Sequence, residues 1–109
     1  MKNVYIINRG CHDFEDAKRF GNLIYLSAGS FNVLSTSRMY RKFSDALKNS
    51  SPTDYIIPTG LNTMSIIACS IFVLKHRRLN LLLFYTKNGK GQGTYRERTV
   101  LFEEGEITE

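Results

Sequence analysis

The sequence predicts an α/β protein. A small, mostly parallel sheet, built in the order β-α-β-α-β-α-β-β, is packed as a three-layer sandwich with an antiparallel edge hairpin. Two observations carry this. β-branched and aromatic runs at 3–8 (NVYIIN), 22–28 (NLIYLSA) and 54–58 (DYIIP) are each followed by a segment with helix signals. Beyond them, a continuous apolar run at 79–86 (LNLLLFYT), a glycine-rich stretch at 87–93 (KNGKGQG) and an alternating run at 94–102 (TYRERTVLF) read as two strands and a turn. A length of 109 residues suits one domain, 1–102, and the acidic stretch 103–109 is expected to be a flexible tail. A two-layer sheet with its helices on one face is the alternative.

The first helix is short. Asp13 is suited to the N-cap, Glu15 and Asp16 to the first turn, and Lys18 and Arg19 to the last. Gly21 is expected as the left-handed residue that ends it, and Phe14, Ala17 and Phe20 share a face. The second helix spans about 37–49, with Ser35 or Thr36 as cap. Met39, Tyr40, Phe43, Ala46 and Leu47 form its inward stripe. The third, 61–77, is rich in Ile and Val, but its length exceeds a usual strand. Its centre is apolar almost all round, so it is expected to be the most buried helix. The run 79–86 is expected to be covered on both faces.

The net charge of +5 is unevenly spread. Residues 103–109 hold four of the ten acids, so residues 1–102 carry 15 bases against six acids. A body of about +9 attracts nucleic acid, anionic surfaces or acidic proteins. Cys11 and Cys69 have no ligand pattern around them, and His12 and His76 are the only histidines. No metal or other cofactor is therefore expected. Cys69, in IIACSIF, reads as a core thiol. The N-terminal segment lacks the marks of a signal peptide, and the longest apolar stretch, Met64 to Leu74, is too short for a bilayer. The expected setting is the cytoplasm, away from membranes.

Three basic clusters stand out. Arg38, Arg41 and Lys42 lie in the first half of the second helix, where cations oppose the macrodipole at about 0.3 to 1 kcal/mol each. That placement suggests an anionic partner. Lys75, His76, Arg77 and Arg78 close the third helix, in agreement with its dipole. Lys87, Lys90, Arg96 and Arg98 sit on the hairpin with Tyr85 and Tyr95 interleaved, which suits phosphate contact and base stacking. No zinc finger, recognition-helix signature or RNP motif is present, so binding would be led by charge and shape.

A second candidate site lies beyond the carboxyl ends of the parallel strands, where ligands of open sheets bind. The loops 8–13, 28–32 and 58–63 would converge there. They bring Arg9, His12, Ser30, Thr59, Gly60, Asn62 and Thr63, with the start of the third helix able to hold an anion. Each also has a purely structural use in a turn or cap. The segment GKGQGT at 89–94 has the wrong spacing and setting for a phosphate loop. Neighbouring pairs such as His12–Asp13 and Cys11–His12 rarely make productive catalytic geometry, so no catalytic residues are assigned.

The pattern His12-Asp13-Phe14, Phe20-Gly21, Met39-Tyr40-Arg41, Asp54-Tyr55-Ile56-Ile57, Thr59-Gly60 and Leu79-Asn80-Leu81-Leu82-Leu83-Phe84 resembles small α/β proteins encoded by bacteriophages and related mobile elements. The resemblance covers about residues 3–100. It implies a compact accessory protein acting on a host or phage macromolecule, in the host cytoplasm, and brings no catalytic residues. The leading expectation is a non-enzymatic basic protein that binds nucleic acid or a nucleoprotein. The alternatives are a nucleotide or small-anion binder, with or without hydrolase activity, and an interaction module that modulates a host factor. An acidic host protein is the other partner the charge suits. A homodimer through the third helix or the strand 94–102 is a further option.

Overall fold

In a computed structural model that describes residues 1–89 and 91–103, five strands form one sheet. They are β1 (Asn3–Ile6), β2 (Asn22–Tyr25), β3 (Tyr55–Ile57), β4 (Arg78–Tyr85) and β5 (Thr94–Leu101), in the order β2-β1-β3-β4-β5. The first four are mutually parallel, and β4–β5 is an antiparallel edge hairpin in continuous register from Arg78↔Leu101 to Tyr85↔Thr94. A 3-10 helix, Glu15–Phe20, joins β1 to β2. Helices α1 (Thr36–Leu47) and α2 (Asn62–His76) make the next two crossovers. The step from β1 to β2 runs one way across the sheet, and the next two run the other way. Right-handed crossovers must then put the 3-10 helix on one face and α1 and α2 on the other.

Side-chain alternation confirms three layers. Tyr5, Ile7, Leu26, Ile56 and Leu79 pack with Met39, Phe43, Leu47, Met64, Ala68 and Phe72 from the two helices. Val4, Ile6, Tyr55, Ile57, Leu82 and Tyr95 point the other way, onto Phe14 and Ala17 with Phe20 beside them. β1 and β3 are thus covered on both faces, and β1 sits between β2 and β3. The three expected loops do converge at the carboxyl edge of the strands.

Several local expectations are corrected. Gly21 is not left-handed; its backbone is extended, and a Cβ there would meet the Lys2 carbonyl oxygen at 2.2 Å. Close approach of two chain segments, not helix termination, explains this glycine. Asp13 accepts a hydrogen bond from the Glu15 N–H at 2.8 Å, but the N-cap position falls on Phe14. Ser35 caps α1 by position only, without a side-chain bond. Tyr40 turns outward at 57% exposure, leaving Met39, Phe43 and Leu47 as the buried stripe.

Helix α2 is not buried all round. Met64, Ala68 and Phe72 face the core, whereas Ile66 (65%) and Leu74 (81%) are exposed. β4 is buried only in its first part. Leu83, Phe84 and Tyr85 run past the helices that would cover them and are exposed. Cys69 packs against the core as expected, and burial pushes its thiol pKa up to about 11. Lys90 and residues 104–109, most of the expected acidic tail, lie outside the described residues.

Candidate functional site: the carboxyl rim of the sheet

The rim is tied together by Asn8, which follows β1. Its N–H donates to Thr59 Oγ1 (3.0 Å), and Thr59 Oγ1 donates back to the Asn8 carbonyl (2.7 Å). Its side chain donates to the Gly29 carbonyl (2.9 Å) and accepts from the Gly10 N–H (3.0 Å). One buried residue, through its main chain and its side-chain amide, thus holds all three loops. Gly60, at φ +88°, lies so close that a Cβ would come within 2.8 Å of Asn8 Cβ and 2.9 Å of Met64 Sδ. Sequence reasoning missed Asn8. The available signal was a polar residue directly after a buried strand, where the parallel ladder ends and main-chain groups need partners.

The residues of the anion-site expectation separate here. His12, Thr59 and Gly60 line one groove of about 530 Å³, on the face of the 3-10 helix, with Asp13, Phe14, Phe84 and Tyr95. Ser30 and Gly60 line a smaller crevice, about 250 Å³, on the α2 face. Asn62 and Thr63 line neither, and Leu61, not a polar residue, holds the N-cap of α2. Arg9 lies over the Tyr25 ring, its guanidinium carbon 5.4 Å from the ring centre.

The basic residues divide between the two ends of the sheet. Helix α1 starts at the carboxyl edge, so Arg38, Arg41 and Lys42 lie there. Arg38 and Lys42 sit over the Phe31 ring, at 4.9 and 5.5 Å. Arg41 lines a shallow groove with Thr36, Ser37, Tyr40 and Ile67. Arg96 stacks on Tyr85 at 4.6 Å, beside a third groove that also holds Leu83, Phe84 and Arg98. Arg98 donates to the Glu97 carbonyl. Arg77 and Arg78 are at the opposite, amino edge. Arg77 is the left-handed cap of α2, its N–H bonded to the Val73 carbonyl, and Arg78 bonds Asn80 Oδ1 at 3.1 Å.

Electrostatics sharpen this division. The three ion pairs among the described residues are Lys18–Glu15, Arg19–Asp16 and Lys48–Asp45. None involves Arg9, Arg38, Arg41, Lys42 or Arg96. Of these, Arg9, Arg38, Lys42 and Arg96 stand over aromatic rings, and none has a carboxylate in ion-pair contact among the described residues. No group of three or more His, Cys, Asp or Glu among the described residues is arranged to hold a metal. No described helix is long and apolar enough to cross a membrane.

Sheet and rim together define a small doubly wound α/β protein with cation–aromatic pairs along the carboxyl edge. The chain belongs to the Phage Pam3 gp32-like protein family, whose model matches residues 2–100, so it is a bacteriophage-type protein, as its sequence resemblance implied. No curated protein and no solved structure matches it.

Proposed function

We propose that this phage protein is a non-enzymatic binder of nucleic acid, free or within a nucleoprotein of the host cytoplasm, and that it binds along the carboxyl rim. The carrying observation is the set Arg9 on Tyr25, Arg38 and Lys42 on Phe31, and Arg96 on Tyr85, all outside the ion pairs. An arginine over a ring keeps its N–H groups for phosphate, and the ring edge nearby offers stacking to an unpaired base. Arg41 and Arg98 extend the same charged track. Arg77 and Arg78, at the far edge, would contribute to the long-range field more than to contact.

The small-anion alternative has less support, because Thr59 and Gly60 are taken up in holding the loops. A salt titration with a labelled single-stranded dT 20-mer tests the proposal. Log affinity should fall linearly with log salt. Replacing Arg38 and Arg41 together by Ala should lower the slope by about 1.4, at roughly 0.7 for each phosphate no longer neutralised. The fold should lose no more than about 1 kcal/mol, the worth of the exposed Arg38–Phe31 contact. Absence of binding at low salt overturns the proposal. An acidic host protein that binds equally well after Tyr25→Ala and Tyr85→Ala would replace nucleic acid as the partner.

A further inference from the structure

The 530 Å³ groove between loop 8–14 and the β4–β5 hairpin is within the size range of small-molecule sites. Its wall is aromatic and is held in place before any ligand arrives. Phe84 meets the buried Tyr95 ring edge-to-face, with centres 5.2 Å apart, yet remains 57% exposed. Gly93 makes room for it, since a Cβ there would lie 2.3 Å from the Phe84 ring. An exposed ring seated against glycine backbone offers a ready stacking face without a rotamer to freeze. At the mouth, one Asp13 oxygen accepts from the Glu15 N–H, and the other takes no hydrogen bond among the described residues. The surroundings supply charge for an anion. Phe14 leads through Tyr25 (6.1 Å) to Arg9, while Arg96 and Arg98 lie in a second groove on the opposite face of the β4–β5 hairpin, where Leu83 and Tyr85 point.

We infer that this groove receives one nucleobase of the bound strand, stacked on Phe84 and read by Asp13, with a flanking phosphate on Arg9. This rests on the nucleic-acid reading above and adds a base preference to it. A carboxylate only accepts hydrogen bonds, so it favours a base edge rich in donors. Guanine fits best, because N1–H and the N2 amino group are adjacent donors that pair with two carboxylate oxygens. Adenine and cytosine offer one amino group, and thymine one imino N–H.

The test compares a dT 12-mer with the same strand carrying one interior dG, and adds GMP alone. The dG strand should bind about tenfold more tightly, within the range of a bidentate base contact. Asp13→Asn should erase that preference, bringing the dG strand to the affinity of the dT strand. Phe84→Leu, which keeps an apolar side chain in the hairpin, should weaken both strands by several-fold if one stacking face is removed. GMP should shift the NMR signals of His12, Phe84 and Tyr95. Equal affinity for the two strands, or a dG preference that survives Asp13→Asn, overturns the inference and leaves the rim reading intact. GMP shifts at the groove without oligonucleotide binding would overturn the rim reading and leave a nucleotide site. GMP leaving those signals unmoved rejects the base pocket.

Discussion

At the amino edge of the sheet, buried polar groups meet one another. Asp54 accepts from the N–H groups of Asn3 (2.9 Å) and Ser51 (2.8 Å). Asn80 donates to the carbonyls of Pro52 and Asp54 and accepts from Arg78 and Thr99. At the carboxyl edge, five cations stand outside every ion pair among the described residues, and an aromatic side chain is held open by a glycine. The amino edge spends its polar residues on the fold; the carboxyl edge keeps many of its own unspent. In a doubly wound sheet the carboxyl edge is where loops of different crossovers meet, so unspent groups there converge on one another.

The comparison breaks first at Asp54. Asp54→Ala strands two main-chain donors at a nearly fully buried site and should cost about 3 kcal/mol, read from denaturant unfolding. A loss no larger than that of a rim arginine would erase the contrast. Gly60→Ala sharpens it, because Gly60 is a rim residue with a structural task. A positive φ and contacts below 3 Å should cost about 1–3 kcal/mol and loosen the Asn8 bonds, seen as faster amide exchange at Gly10.

The smallest effect is expected at His76, near the amino edge. Ser50 gives its hydroxyl proton to the Leu47 carbonyl, so it accepts from His76 Nε2 at 2.8 Å. Burial, and then the charge of Lys75, hold the His76 pKa below its usual 6.5. The unfolded chain therefore takes up the proton first, and stability present above pH 6.5 is lost as the pH falls through the lower folded value. A small drop in Tm from pH 7.5 to 5.5, flattened by His76→Gln, is the expected result. Asp16 does not blur this window. The Tyr95 N–H, and then Arg19, lower its pKa, so its contribution is lost only at more acid pH.

The order of elements was legible because the strands are short β-branched, aromatic or leucine-rich runs and the crossovers between them are long enough for helices. Coverage was not legible. The apolar run 79–86 reads as a buried strand, but only its place relative to the start of α2, at the carboxyl edge, determines that Leu83 to Tyr85 emerge from cover. For the same reason Ile66 and Leu74 read as core although they face away from it. In the site, the cationic positions of α1 and β5 were visible as a pattern that opposed a dipole or interleaved with tyrosine. Their ring partners Phe31 and Tyr25 were not, since each comes from a different loop or strand. Asp13 read as a cap, and its free oxygen at the groove mouth appears only once the loop is folded against the hairpin.

The 3-10 helix also governs how the sheet ends. Asp16 accepts from the Tyr95 N–H at 2.8 Å, and Arg19 donates to the Tyr95 carbonyl at 2.6 Å. These two side chains occupy the outward main-chain groups that a sixth strand would otherwise use. Arg98 then takes the Glu97 carbonyl. On the β5 edge, strand-on-strand growth is left with Thr99 and Leu101, near the amino end of the sheet, too short a stretch to template a long ladder. Self-association through this edge would be steered away from the rim, leaving the loops of the carboxyl edge uncovered.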